Sequence, residues 1–176
     1  MLMVSLVVML ATLVKVPGES IHIPFSTASG ESGTIEIEIP THVWVGDRYR
    51  IRARIEFDTL PERTSVILIG RMETTAEESS PRGDVRLSLD TKTPVVFEWT
   101  SKSNKQAAYP GILWLWLESD GEENLLLARE FSISARNFLG VQAMILRITA
   151  CLVALVSMMG TAFVYIRNKK TSLIQN

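Results

Sequence analysis

Between residues 20 and 136 the chain alternates apolar and polar side chains with a period of two, the signature of strands with one buried and one solvated face. The clearest case is 49–57. Tyr49, Ile51, Ala53, Ile55 and Phe57 share one side, and Arg50, Arg52, Arg54 and Glu56 share the other. Residues 34–39 repeat the pattern, with Ile35, Ile37 and Ile39 opposite Glu36 and Glu38. The same reading predicts strands over 21–25, 66–72, 85–89, 95–100, 112–118 and 125–134. Turn-forming residues separate them: Pro40, Gly46-Asp47, Pro61, Pro81 to Asp84, Pro94, Pro110-Gly111 and Asp120-Gly121. No stretch of this region offers an amphipathic helix. Eight short strands, each with one polar face, predict an all-β fold of two antiparallel sheets packed face to face.

The segment 112–117, Ile-Leu-Trp-Leu-Trp-Leu, is apolar on both sides, as a central strand would be. One face of it meets the core. The other places Trp114 and Trp116 together. Packing in the core is the leading expectation for this pair, and a contact surface is the alternative.

Outside this region the pattern changes. The run 148–166 carries no charged residue and is followed by Arg167, Lys169 and Lys170. As an α-helix it is about 28 Å long, against a bilayer hydrocarbon core of about 30 Å. The sequence therefore predicts a transmembrane helix beginning near Val141, with residues 137–140 as linker and a basic cytoplasmic tail over 167–176. Ala143, Arg147, Ala150, Ala154, Ser157 and Thr161 are spaced by steps of three and four, so they share one face. Small residues there allow a second helix to approach closely, which makes this a candidate helix-packing face. Arg147 reads as an interfacial side chain reaching to the headgroups or as the partner of an acidic group on another helix. At the other end, Met1 to Val14 is uncharged and short for a span. Residues 1–18 are expected to be a cleaved signal peptide, with an uncleaved anchor as the alternative.

Charge sharpens this division. All 19 Asp and Glu lie between Glu19 and Glu130, whereas Lys15, Arg147, Arg167, Lys169 and Lys170 flank the apolar ends. An acidic middle excludes a nucleic-acid partner, because neutralising phosphates needs a net basic surface. The one cysteine, Cys151, falls in the apolar run, so the domain over 19–136 must be held by its core without disulfides. With no Asn-x-Ser/Thr sequon either, the expected location is a prokaryotic plasma membrane, with the domain outside.

The stretch Pro-Thr-His-Val-Trp-Val-Gly at 40–46, leading into the alternating strand at 49–57, and the later Ala-Tyr-Pro-Gly-Ile-Leu-Trp-Leu-Trp-Leu-Glu-Ser at 108–119, resemble bacterial membrane-anchored immunoglobulin-like ectodomains. The resemblance covers about two thirds of the chain. It implies an immunoglobulin-like sandwich and no particular activity.

Candidate chemistry is sparse. Arg48, Arg50, Arg52 and Arg54 form a basic stripe, expected to pair with Glu36 and Glu38 on a neighbouring strand rather than with an anionic ligand. His22 and His42 lack metal-ligand neighbours at suitable spacing, so no metal or cofactor is expected. The oxygen-rich segment 118–124 departs from calcium-loop spacing and reads as a hairpin turn at Asp120-Gly121. Residues 73–84 read as a long acidic loop containing Arg82-Gly83-Asp84, a weak adhesion signal. There is no nucleophile elbow, phosphate-cradling glycine loop or paired cysteine. The sequence thus reads as a non-catalytic accessory or assembly subunit of a membrane complex, or a homo-oligomer, docking through its sandwich and helix. The alternative is a stand-alone surface module for a glycan, peptide or envelope component.

Overall fold

The computed structural model describes residues 18–28, 30–59, 66–89, 94–119, 121–137 and 140–174, with helix side chains described at 143 and over 145–160. The chain divides into two compact units. One is Val16–Arg136; the other combines Met1–Lys15 with Asn137–Asn176.

The first unit is an antiparallel β-sandwich of two five-stranded sheets. Its strands are β1 (Glu19–Ser26), β2 (Ser32–Ile39), β3 (His42–Trp44), β4 (Arg48–Thr59), β5 (Val66–Thr74), β6 (Glu78–Ser80), β7 (Asp84–Ser88), β8 (Val95–Lys102), β9 (Ala108–Ser119) and β10 (Glu122–Arg136). The first sheet has the order β1-β2-β4-β8-β6 and the second β3-β10-β9-β5-β7. Neighbours run antiparallel except β3 and β10, which pair in parallel. The order β2-β4-β8-β6 over β10-β9-β5 resembles the four-over-three arrangement of immunoglobulin-like sandwiches.

Alternation becomes the core directly. Ile35, Ile37, Ile51, Ala53, Ile55, Phe97 and Trp99 from the first sheet are at most 1% exposed, and Leu68, Leu113, Leu115, Leu117 and Ile133 from the second are fully buried. Each such large side chain contributes about 1.5–3 kcal/mol by leaving water. Phe97 and Trp99 stack at 5.7 Å and 12°, giving the core its bulkiest layer. The facing strand leaves space for that layer at Gly70, where a Cβ would come within 2.8 Å of the Phe97 ring. A second small cluster of Val45, Tyr109 and Ala135 closes the sandwich where β3 meets β10. Tyr49 is raised in pKa by burial in the core, against hydrogen bonds with Ser103 and Ser101 that act the other way.

All eight expected strands are present, seven of them longer by two to five residues and the one expected over 85–89 shifted by one residue to Asp84–Ser88, and two more accompany them. β3 and β6 escaped the periodicity because each has three residues, too few to display a period of two. β6 also corrects the reading of 73–84 as one long loop. Glu73 and Thr74 complete β5, and Glu78–Ser80 pair with the end of β8. These polar residues form a sheet edge through backbone hydrogen bonds, which the side-chain pattern does not report.

In the second unit, α1 (Ala143–Ile174) starts two residues beyond the expected Val141. Among the described residues, no helix is long and apolar enough to cross a membrane; the described side chains end at Gly160, before the end of the uncharged run. Residues 1–17 of the expected signal segment lie outside the described residues, as do the side chains of Thr161 and of the basic tail.

Candidate interaction surface

The outer face of the second sheet carries the most distinctive surface of the sandwich. The strand registers align it in rows across β5, β9 and β10, with β7 at the edge. Glu73, Ile112 and Glu130 form one row. Arg71, Trp114 and Ala128 form the next, with Asp84 opposite Arg71. Ile69, Trp116 and Leu125 follow, with Arg86 opposite Ile69; Ile67, Glu118 and Glu123 come last, although Glu123 has shifted in register beyond a bulge.

Here the leading expectation for the tryptophans is corrected. Leu113, Leu115 and Leu117 take the core side of β9, and strict alternation sends Trp114 and Trp116 to the outer side, where both are half-buried. Their rings stack on each other with centroids 5.8 Å apart and planes 6° apart. Arg71 lays its guanidinium 5.6 Å from the Trp116 ring centroid, a cation–π contact that extends the stack.

Arg71 is itself held by Asp84. Its Nε donates to Oδ1 at 2.6 Å and its Nη2 to Oδ2 at 3.1 Å, a bidentate pair. The hydrogen bond from Arg71 draws the Asp84 carboxyl below its ordinary pKa of 3.8, and Asp84 raises Arg71 in return. Asp84 is the last residue of the Arg82-Gly83-Asp84 tripeptide, so its carboxylate is already engaged within the fold. Arg86 makes the parallel arrangement one row on, 3.1 Å from Glu118 and 3.8 Å from Glu123.

Leu125, Arg71 and Glu130 were not singled out from sequence. Leu125 lies in the run Leu125-Leu126-Leu127, where alternation gives no direction. A bulge between Leu125 and Leu127 resolves it by turning Leu125 outward, 54% exposed, and Leu127 inward. The signal available was the broken alternation itself.

The other predicted features are placed as follows. Two arginines of the basic stripe on β4 pair across strands, Arg52 at 3.7 Å from Glu38 and 3.2 Å from Glu98 and Arg50 at 3.4 Å from Glu98, whereas Arg54 lies 3.6 Å from Glu56 on the same strand. Glu98, on β8, is the partner sequence reasoning missed. His22 lies 3.8 Å from Glu36, His42 is exposed, and among the described residues no cluster of His, Cys, Asp and Glu could hold a metal. Ser119 and Glu122 face each other across the β9–β10 connection, with Gly121 at φ 82°, as a tight hairpin requires; Asp120 lies outside the described residues. Glu31 is 1% exposed, and its carboxylate accepts from the Thr27 hydroxyl while its N–H donates to the same Oγ1 at 3.1 Å. That carboxylate serves the β1–β2 turn.

Along α1, Ala143 and Ala150 are 0% and 7% exposed, and Arg147, Ala154 and Ser157 are half-buried. The remaining circumference is different. Ile145, Ile148, Leu152, Leu155, Val156, Met158 and Met159 are between 50 and 72% exposed. The Thr149 and Ser157 hydroxyls donate to the carbonyls of Ile145 and Val153 at 2.9 and 2.8 Å, so both are satisfied inside the helix.

No family model and no curated protein matches the sequence. Among solved structures, the chain is similar to one from the crystal structure of the complex between zinc 2-glycoprotein and prolactin inducible protein of human seminal plasma. That likeness has a TM-score of 0.44 and 8% identity, over 70% of this chain and 98% of the other. A second similarity is to a conjugative transposon lipoprotein from Bacteroides eggerthii, with a TM-score of 0.34 and 16% identity, over 58% of this chain and 95% of the other. The class of fold, an all-β sandwich, rests on the strand order itself.

Proposed function

We propose that this protein is a non-catalytic, membrane-tethered module. An immunoglobulin-like sandwich outside the cytoplasm docks a membrane-protein partner through the Trp114/Trp116 face, and α1 anchors it in the plasma membrane. The observation that carries this reading is the placement of two stacked tryptophans on the outer face rather than in the core. Half-exposed aromatic and Arg side chains, ringed by charged pairs, have the composition of an interface centre.

The tether is supported by the uncharged run 148–166 and by the large apolar side chains that α1 turns outward. A helix in water buries such residues and exposes polar ones; in lipid the requirement is reversed. The less exposed face, with Ala143, Arg147, Ala150, Ala154 and Ser157, suits helix–helix contact in the bilayer. A glycan platform is the second reading, since it too uses aromatic side chains. It is the weaker one, because each indole turns a ring face to the other and Arg71 covers Trp116.

The test is purification of tagged full-length protein in mild detergent, followed by native mass measurement and identification of whatever travels with it. A stoichiometric protein partner is expected, lost with Trp114→Ala. Loss with Ala154→Leu plus Ser157→Leu would assign part of the docking to the helix. A lone chain that is retained on immobilised oligosaccharide through Trp114 would replace this reading with the glycan module. Protease added to right-side-out vesicles should remove the sandwich; a protected sandwich would reverse the topology.

A further inference from the structure

The acidic balance of the Trp114/Trp116 face indicates what it docks, given the reading of that face as an interface. Among the described residues, its rows hold the carboxylates Glu73, Asp84, Glu118, Glu123 and Glu130 against the guanidinium groups of Arg71 and Arg86. The outer face of the first sheet is nearly balanced by contrast. There Glu36, Glu38, Glu56, Glu78 and Glu98, with Asp58 near the end of β4, stand against Arg48, Arg50, Arg52, Arg54 and Lys102. The excess of negative charge is therefore greatest on the face that also carries the half-exposed aromatic pair.

We infer that the partner of this face is a cationic polypeptide surface, one that sets Lys or Arg side chains against Trp114 and between Glu73 and Glu130. Those two carboxylates flank Ile112 in the row beside Trp114. Among the described residues Glu130 has no ion-pair partner, and Glu73 reaches only the Arg71 Nη1, at 3.8 Å. The fold already displays the recognition mode one row away, where Arg71 lies over Trp116 with its guanidinium fork on Asp84. An incoming guanidinium or ammonium would find the same two ingredients, an indole and a carboxylate. A second copy of this face would bring like charges together, and a neutral sugar would leave the carboxylates without a counter-charge.

The test uses full-length protein in an uncharged detergent and a labelled oligo-arginine peptide, followed by fluorescence anisotropy at several salt concentrations. Saturable, salt-sensitive binding is expected, weakened about tenfold by Trp114→Ala. Glu73→Gln plus Glu130→Gln should weaken it severalfold, while Glu36→Gln plus Glu38→Gln on the other face should leave it unchanged. Trp114→Phe keeps an aromatic ring and should restore most of the binding, separating a lost contact from a damaged fold. Absence of saturable binding would overturn the inference. So would an equal loss from the first-sheet variants, or preference for an oligo-glutamate peptide or a neutral oligosaccharide. If Trp114→Ala releases the co-purified partner but oligo-arginine does not bind, the cationic chemistry fails and the docking face stands. If Trp114→Ala releases nothing, the docking face fails as well.

Discussion

The two outer faces of this sandwich are built on the same alternating pattern and solve different problems. On the first sheet the outward Arg50 and Arg52 of β4 meet Glu38 and Glu98 on flanking strands, Arg54 meets Glu56 on β4 itself, and large apolar groups are nearly absent: Val96, 44% exposed, is the exception among the described residues. Such a ladder is a surface finished for water. On the second sheet charges sit at the margins, and the centre is a stack of two indoles and a guanidinium beside an exposed leucine. Exposed ion pairs cost little to hydrate, whereas exposed aromatic area is worth most when something covers it. Under the proposed reading, the first is the solvated face and the second the docking face.

The contrast can be broken most forcefully at the core boundary. If Trp114 belongs to the surface, its truncation must cost far less than truncation of Trp99, which is fully buried. Trp99→Ala should lower unfolding free energy by about 3–5 kcal/mol. Trp114→Ala should lower it by about 1–2 kcal/mol, the worth of an aromatic pair and partial burial. Denaturant melts of both variants in the same detergent decide this; similar losses would return Trp114 to the core.

Backbone spacing beneath the aromatic face gives the next effect. A Cβ at Gly111 would lie 2.4 Å from the Phe131 ring and 2.7 Å from the Glu73 carbonyl oxygen. Gly111→Ala should therefore cost about 1–3 kcal/mol through overpacking. A melt indistinguishable from the parent would show that β5 and β9 are farther apart than described.

On the charged face the expected effects are small. Arg52→Ala removes contacts to Glu38 and Glu98 and should change stability by less than about 1 kcal/mol, with the difference shrinking as salt rises. A larger, salt-insensitive loss would mean that this ladder is structural rather than a solvated surface.

The finest distinction is in pH. The Asp84 carboxyl is held below 3.8 by Arg71, so the pair stabilises the fold above the ordinary carboxylate range and is lost as pH falls through the depressed pKa. Tryptophan emission should therefore hold steady down to the ordinary aspartate range and change below it, as Arg71 is released from Asp84. Asp84→Asn should remove that acid transition. An unchanged transition in the variant would assign it to another carboxylate.

Much of this was legible in the residues themselves. The alternation in 49–57 and 34–39 specified which side chains enter the core, because a period of two leaves each residue one of two directions. The Arg and Glu of neighbouring strands specified a solvated ladder once those strands were paired. What could not be read was the direction of a segment apolar on both sides. In 112–117 either register buries three large residues, and the choice fell to the tertiary fit: leucines pack against the Phe97/Trp99 layer of the facing sheet, with Gly70 on the neighbouring strand leaving room for it. Leu125 was undetermined for the same reason, until a bulge in β10 turned it outward.

By itself, then, the sequence determined a two-sheet architecture, the division into an acidic sandwich and an apolar helix, and the residues available to pair across β4. These follow from local periodicity and from the cost of burying charge, which act on every residue without reference to distant ones. The tertiary structure alone decided that Trp114 and Trp116 face outward, that Arg71 stacks on one of them under the hold of Asp84, and that Glu73 and Glu130 flank the row beside them. Those neighbours come from β5, β7, β9 and β10, four strands spread between Val66 and Arg136. Only the registers of the folded sheet bring them to one surface.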